Sequence, residues 1–159
     1  MDPVYKYQDI TVLIQGPIGE HSRALKQDQI ENYSKYGPVV VSSWTGFNAN
    51  ISLIDSCNVK YVMSHLPHRT RAHCLQDSTF YWAICSMYYG LKNIETKYVV
   101  KTRSDECFSE LEPFIEPFLL DDKKMVCGNI FVQKFDKQQF HIGDHVFVAK
   151  TKTLFEAVS

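Results

Sequence analysis

The sequence lacks a long hydrophobic run, a charge excess of either sign and any closely paired cysteines. No stretch approaches the roughly 18 consecutive apolar residues of a membrane span. The first residues, MDPVYKYQD, show no basic segment followed by an apolar one, so we expect a soluble, unexported chain located in the cytoplasm. Seventeen basic side chains face eighteen acidic ones, a net charge of -1, which excludes a global attraction to nucleic acid or to an anionic membrane.

Cysteine and glycine patterns exclude further classes of protein. The five cysteines contain no CxxC pair, and their spacing suits neither a zinc ribbon nor a disulfide framework, so we interpret them as reduced core thiols. The sequence also has no GxGxxG and no glycine-rich GK[ST] loop. These absences disfavour Rossmann dinucleotide binding and P-loop phosphate binding.

What is present is a series of apolar runs separated by helical patterns. Continuous runs predict strands at residues 10–18, 38–44, 59–63, 97–101, 125–135 and 146–150, and three-to-four spacing predicts helices at 21–36 and 74–94. Pro113 and Pro117 indicate short helical turns rather than one long helix, and Thr151 or Thr153 is a candidate N-cap for a last helix.

The order of these elements predicts the fold class. Strand, helix and strand within about 35 residues form a βαβ unit, and continuous β-branched runs are typical of interior parallel strands. We therefore expect an α/β fold with a mostly parallel central sheet flanked by helices. With 159 residues, 45% hydrophobic and 22% charged, we expect one domain over residues 1–159.

Ligands of open parallel sheets bind outside the carboxyl ends of the strands, which selects four loops as candidate sites. The sharpest is Arg103-Ser104-Asp105, where Asp105 could hold Mg²⁺ or Mn²⁺ together with phosphate oxygens. The alternative is that Asp105 caps a short helix or pairs with Arg103 as a salt bridge.

The loop at residues 141–145 is the second candidate. Asp144 could accept a proton from a hydroxyl nucleophile, and His141 could complete a metal shell or hold a phosphate. A solvated turn is the alternative for Asp144. His141 and His145 also have a zinc-ligand spacing on a helix, which Gly143 between them argues against.

The other candidates are less specific. In the turn Gln15-Gly16-Pro17, the amide of Gln15 could recognise a base and Gly16 would allow close backbone approach. Trp44 is either a base platform or a packing residue. Arg69 or Arg71 could hold a phosphate at the start of the long helix, with a mobile, solvated loop as the alternative, and Gln76 could cap that helix or face the same cleft.

Four runs of this chain resemble the WavE family of lipopolysaccharide-synthesis proteins, which are similar to GT-A-type nucleotide-sugar glycosyltransferases. The runs are ITVLIQGPI, VVVSSWTG, YYGLKNIETKYVVKTRSDE and FHIGDHVFV, spread over roughly residues 10–150. In the family the last run is approximately His-Pro-Ser-Asp followed by aromatics. This chain keeps His141 and Asp144 but has Ile142, Gly143 and His145 in place of the proline, the serine and the usual aromatic residue.

The resemblance implies a GT-A-like fold, compact or truncated, and transfer of a sugar from a nucleotide-diphosphosugar donor to a glycan or polysaccharide acceptor. Arg103-Ser104-Asp105 would stand in the place of the Asp-x-Asp metal motif with its last acid alone, and Arg71 and Gln76 would loosely represent an Asn-Arg-Gln segment. Mn²⁺ or Mg²⁺ would bind Asp105 and His141, and Asp144 would activate the acceptor.

Two other hypotheses stay open at this point. One is a non-catalytic nucleotide-sugar-binding or assembly module of the same fold, in which the missing second acid has abolished turnover. The other is a zinc-dependent hydrolase that uses His141 and His145.

Overall fold

A computed structural model provides the structure of the chain. It describes residues 5–18, 25, 27–45, 59–65, 78–128 and 145–159, with the backbone alone at 78–81. In chain order the elements are β1 (Ile10–Gln15), α1 (Gln27–Ser34), β2 (Val39–Trp44), β3 (Val59–Ser64), α2 (Ser78–Leu91), β4 (Tyr98–Arg103), α3 (Glu112–Leu120), β5 (Val126–Cys127), β6 (Val146–Lys150) and α4 (Thr151–Val158).

The strands form one six-stranded sheet in the order β3-β2-β1-β4-β6-β5. The pairs β3–β2, β2–β1 and β1–β4 are parallel, whereas β6 runs antiparallel to both β4 and β5. The predicted α/β class with a mostly parallel sheet is therefore confirmed.

Helices cover both faces of the sheet because its central strands are apolar on both sides. In β1, Val12 and Ile14 belong to the core on the side of α1 and α3, and Leu13 belongs to the core on the side of α2 and α4. All six residues of β1 are buried. Such two-sided burial explains the continuous apolar run that predicted an interior strand.

Small residues let α2 lie close to the sheet. A Cβ on Gly90 would come within 2.7 Å of Leu13 Cδ1 and 3.0 Å of Ser42 Cβ. Ser42 Oγ also donates a hydrogen bond of 2.6 Å to the carbonyl of Ser86. Since α2 connects β3 to the parallel strand β4, its first residues lie at the edge where the parallel strands end.

Two local predictions were wrong. Residues 112–120 form one nine-residue helix, because Pro113 occupies its first turn, where no backbone N–H is needed, and Pro117 is accommodated inside it. The N-cap of α4 is Lys150 rather than Thr151 or Thr153, because the helix begins directly where β6 ends.

Other predicted elements extend beyond the described residues. These are the start of the helix at 21–36, the first residues of the helix at 74–94 and most of the strand at 125–135. Within the described ranges, no helix combines the length and the apolarity that crossing a membrane requires.

Candidate functional site

The order of the strands places a switch point between β1 and β4. From β1 the chain proceeds to β2 and β3 on one side of the sheet, and then returns to add β4 on the other side. The loops leaving β1 and β4 both lead to helices on the face of α1 and α3, and the carboxyl ends of strands at a switch point are where open α/β sheets bind ligands. We call this region, formed by residues 15–17 and 103–106, the switch-point crevice.

Close contact between its two loops shapes the crevice. Ser104 donates its backbone N–H to the Gln15 carbonyl at 2.9 Å and its Oγ to the Pro17 carbonyl at 2.8 Å. Gly16 has a φ of 135°, and a Cβ at that position would overlap Ser104 Oγ. Since Ser104 is only 2% exposed, its hydroxyl fixes the loop rather than facing a ligand.

Gln15 and Trp44 both contact α2. Gln15 donates its Nε2 to the Ala83 carbonyl, and its buried Oε1 has no hydrogen-bond partner among the described residues. The ring of Trp44 lies 6.3 Å from that of Trp82, tilted by 58°. Both side chains are at least 94% buried, so they form the wall between β1, β2 and the first turns of α2.

Arg103 and Asp105 form a bidentate ion pair at the carboxyl end of β4. Arg103 donates from Nε to Asp105 Oδ1 and from Nη2 to Oδ2, each at 2.8 Å. The two side chains are 34% and 22% exposed, so both contact solvent in the crevice. This geometry corresponds to the salt bridge that the sequence offered as the alternative role of Asp105, and it also places the pair in the crevice.

A buried lysine, Lys101, lies two residues before Arg103 on the same face of β4. Lys101 is 3% exposed, and its Nζ lies 5.6 Å from the centre of the Phe147 ring on the neighbouring strand. No role is predicted for it from the sequence, although an isolated lysine inside an apolar strand is a signal that would have singled it out.

One face of α1 holds the loop that follows β4. Gln29 donates its Nε2 to the carbonyls of Arg103 and Glu106, and Asn32 donates to those of Phe108 and Ser109. Tyr33 and Tyr36 accept the backbone N–H groups of Phe108 and Leu111. These four residues therefore form hydrogen bonds with four carbonyl groups and two N–H groups between residues 103 and 111.

Burial also changes the pKa of Tyr33 on this face of α1. Burial raises the pKa of Tyr33 to about 12, although the hydrogen bond from the Phe108 backbone favours the phenolate. Tyr33 therefore stays protonated at neutral pH and serves as a fixed support for the loop.

Glu106 and His145 form a second pair beside the end of β4, on the side away from β1. Because β6 is antiparallel to β4, His145 at the start of β6 lies beside the end of β4, and its Nδ1 contacts Glu106 Oε1. The other carboxylate oxygen of Glu106 is buried without a hydrogen-bond partner among the described residues. No role is predicted for Glu106 from the sequence, and His145 is predicted there only as a zinc ligand. The antiparallel pairing of β4 with β6 brings the two residues together, and no short sequence pattern predicts that pairing.

The remaining candidates lie outside the described residues. These are Arg71, Gln76, His141 and Asp144. In the part of the chain that the structure describes, no group of three or more histidine, cysteine, aspartate or glutamate side chains could hold a metal ion. Of the described candidates, the structure gathers Gln15, Gly16, Pro17, Arg103, Ser104 and Asp105 at the crevice, with Trp44 at the end of the neighbouring strand.

Comparison with known proteins addresses the fold. No family model matches the chain, and no curated protein matches it either. Among solved structures, HddC from Yersinia pseudotuberculosis superimposes with a TM-score of 0.54 at 12% identity, over 94% of this chain and 79% of that protein. The bifunctional IspDF from Campylobacter jejuni gives 0.49 at 15% identity, over 96% of this chain and 43% of that one. The likeness to HddC establishes a shared mixed α/β fold.

Proposed function

We propose that this domain binds a nucleotide-diphosphosugar in the switch-point crevice and transfers its sugar to a glycan acceptor. The observation that supports the proposal most is the position of the Arg103–Asp105 pair, partly exposed at the carboxyl end of β4 and at the switch point of the sheet. Arg103 thereby supplies a cation for the phosphates, and Asp105 supplies a carboxylate for a metal ion at the same place. The resemblance to the WavE family adds the sugar chemistry.

The surroundings of the pair suit a diphosphate. The first turn of α2 lies at this edge of the sheet, and helix N-termini attract phosphate through their free N–H groups and dipole. Arg103 adds a planar guanidinium, which is 34% exposed. In this proposal these groups stabilise the negative charge that develops on the leaving diphosphate.

The described residues offer carboxylate oxygens as ligands for Mn²⁺ or Mg²⁺. Asp105 presents a carboxylate that is 22% exposed at the end of β4, and carboxylate oxygens are ligands that both cations take. The buried, unpaired Oε2 of Glu106 is a second carboxylate oxygen in the same turn. When bound, the cation would neutralise phosphate charge, and His141 is the further ligand we propose.

The acceptor hydroxyl needs a proton acceptor, for which we propose Asp144. Asp144 is the chain neighbour of His145, which lies at the crevice. The proton of the hydroxyl passes to the carboxylate while its oxygen bonds to the anomeric carbon. The bond from that carbon to the phosphate oxygen breaks, and the nucleoside diphosphate leaves with the electron pair.

The first experiment measures ligand binding by thermal unfolding. UDP, GDP and CDP are added one at a time with Mn²⁺, and we expect one of them to raise Tm by about 5 °C or more at one hundred times its Kd. Asp105→Asn should abolish the rise. Asp122→Asn is the matched control, because Asp122 is also ion-paired but lies at the opposite edge of the sheet, next to Lys150. No shift with any nucleotide would contradict the proposal.

The second candidate function, a non-catalytic binding module, is favoured by one observation: both oxygens of Asp105 already accept hydrogen bonds from Arg103. Release of nucleoside diphosphate from nucleotide-sugars distinguishes the two. Turnover that disappears in Asp144→Asn supports the transferase, whereas nucleotide binding without turnover, unchanged in Asp144→Asn, supports the module. Metal analysis of the purified protein tests the zinc hypothesis.

A further inference from the structure

The residues that form the switch-point crevice carry more negative than positive charge. Among residues 15–17 and 103–106, Arg103 is the single cation, whereas Asp105 and Glu106 are both acids. Asp105 pairs with Arg103, and Glu106 contacts His145. A diphosphate is itself strongly negative, so two carboxylates against one guanidinium disfavour its approach as a free anion.

The backbone of the turn that follows β4 is held from two sides. On one side, Gln29 of α1 donates its Nε2 to the carbonyls of Arg103 and Glu106, at 3.1 and 2.6 Å. On the other, Ser104 donates two hydrogen bonds to carbonyls of the loop after β1. Because the backbone is fixed in this way, a change of partner at the crevice involves mainly the side chains of Arg103 and Asp105, which both contact solvent.

Asp105 contacts the guanidinium in the way that a phosphate would. Carboxylates and phosphates both match the fork of donors on an arginine side chain, through two parallel N–H···O hydrogen bonds. Asp105 accepts two such bonds, from Nε and Nη2 of Arg103, each at 2.8 Å. Its negative charge therefore offsets that of the guanidinium at short range, and a second anion gains little from approaching Arg103.

A divalent cation on the Asp105 carboxylate would reverse this balance. The two charges of Mg²⁺ exceed the single charge of the carboxylate, so the sum over the crevice residues would change from negative to positive. The carboxylate oxygens would also be shared between the cation and the guanidinium. Asp105 would then no longer oppose an anion at Arg103.

We propose that Asp105 determines the specificity of the crevice by suppressing the binding of metal-free phosphate anions at Arg103, so that a diphosphate binds as its complex with a divalent cation. The inference rests on the proposed function, since it concerns the diphosphate site of that proposal. It goes further by giving Asp105 an unfavourable effect on anion binding when no cation is present. By linkage, the cation and the diphosphate raise each other's affinity by the same factor.

The test is a calorimetric titration of the full chain with inorganic pyrophosphate, once with Mg²⁺ and once with EDTA. We expect the parent to bind pyrophosphate at least about tenfold more tightly with Mg²⁺. In EDTA, Asp105→Asn should bind about tenfold more tightly than the parent, because the opposing charge is gone. With Mg²⁺ the same variant should bind more weakly than the parent, because a carboxylate ligand of the cation is gone. A residue with a purely structural role would not change the two affinities in opposite directions.

Further variants show whether the effect acts through Arg103. Adding Arg103→Gln to Asp105→Asn should remove the gain in EDTA, because the two side chains act as a pair. Asp122→Asn, at an acid that is ion-paired with Lys150 at the opposite edge of the sheet, should bind like the parent under both conditions. Asp105→Ser, a second neutral substitution, should reproduce the gain and replaces the asparagine variant if that one does not fold.

The outcomes separate this inference from the proposed function. If the parent binds pyrophosphate with Mg²⁺ but neither neutral variant gains affinity in EDTA, the suppressing role of Asp105 is wrong and the diphosphate site stands. A gain that persists without Arg103 would overturn the inference as well. If the parent binds pyrophosphate under neither condition, both the diphosphate site and the inference fail.

Discussion

At the scale of single residues, Gly16 controls how closely the two loops of the crevice approach. Its φ of 135° belongs to a region that residues with a Cβ rarely adopt, and its missing side chain is the space that Ser104 Oγ occupies. The hydroxyl then reaches the Pro17 carbonyl. A glycine and a serine from distant parts of the chain thus determine the shape of the crevice.

We therefore expect Gly16→Ala to destabilise the fold by about 1–3 kcal/mol, because it adds both backbone strain and an overlap with Ser104. Chemical denaturation measures the change. Ser104→Ala in the same chain should recover part of the loss, since it removes the overlapping oxygen while the strain stays. Strictly additive effects of the two substitutions would show that the overlap contributes nothing.

Sequence patterns predicted which polar residues follow the strands better than they predicted the contacts of those side chains. The run from Lys101 to Asp105 predicted polar groups at the end of a buried strand, and the Arg103–Asp105 contact was one of its stated alternatives. The direction of Gln15, toward α2, depends on how a helix far along the chain packs. Glu106 and His145 meet through strand pairing, which no local pattern contains.

At the scale of elements, α1 acts mainly as a support for the loop after β4. Its side chains bond backbone groups between residues 103 and 111, while its apolar residues, such as Ile30, enter the core. Sequence spacing predicted this helix and its buried face. It could not indicate that Gln29 and Asn32 would donate to a loop more than seventy residues away, because nothing nearby in the chain requires it.

Substituting Gln29 with methionine tests this support. The side chain keeps nearly the same volume but loses the donor to the Arg103 and Glu106 carbonyls, so we expect a loss of about 1–3 kcal/mol in the free energy of unfolding. Glu31→Met, at an exposed position on the same helix, should change it by less than about 0.5 kcal/mol. Equal effects of the two substitutions would contradict the role of Gln29.

At the scale of the whole molecule, the sheet order was the part that the sequence could not provide. Composition and apolar runs predicted six strands and a mostly parallel sheet, but the insertion of β6 between β4 and β5 with reversed direction depends on contacts between remote segments. A similar long-range junction joins Lys6, Tyr36 and Glu112. It ties the start of the chain and the end of α1 to the first turn of α3.

This junction predicts how the fold responds to acid. Burial raises the pKa of Glu112, but hydrogen bonds from Lys6 and Tyr36 outweigh it and lower the pKa from 4.5 to about 2. Between these values the unfolded chain binds more protons than the folded one. Stability from Glu112 is therefore fully present above about pH 4.5 and is lost as the pH falls toward 2.

Glu112→Gln should accordingly be less stable than the parent at pH 7, by about 1–2 kcal/mol, and this difference should shrink on acidification. Denaturation curves at several pH values measure it. Glu116→Gln, on the same helix, is the control, since the contact of Glu116 with Tyr7 Oη is long, at 3.5 Å. A difference at Glu112 that persists down to pH 2 would show that its charge is not responsible.

The reversed strand β6 connects the two ends of the molecule by a short path. It spans five residues, with His145 immediately before it beside Glu106, and Thr151 immediately after it, where the Thr151 N–H donates to the Lys97 carbonyl at 3.0 Å. An extended stretch of that length covers about 17 Å. If β6 slid by two positions along β4, the imidazole would leave its carboxylate and the Thr151 N–H would leave the Lys97 carbonyl in the same movement, so a single register error would break both contacts together.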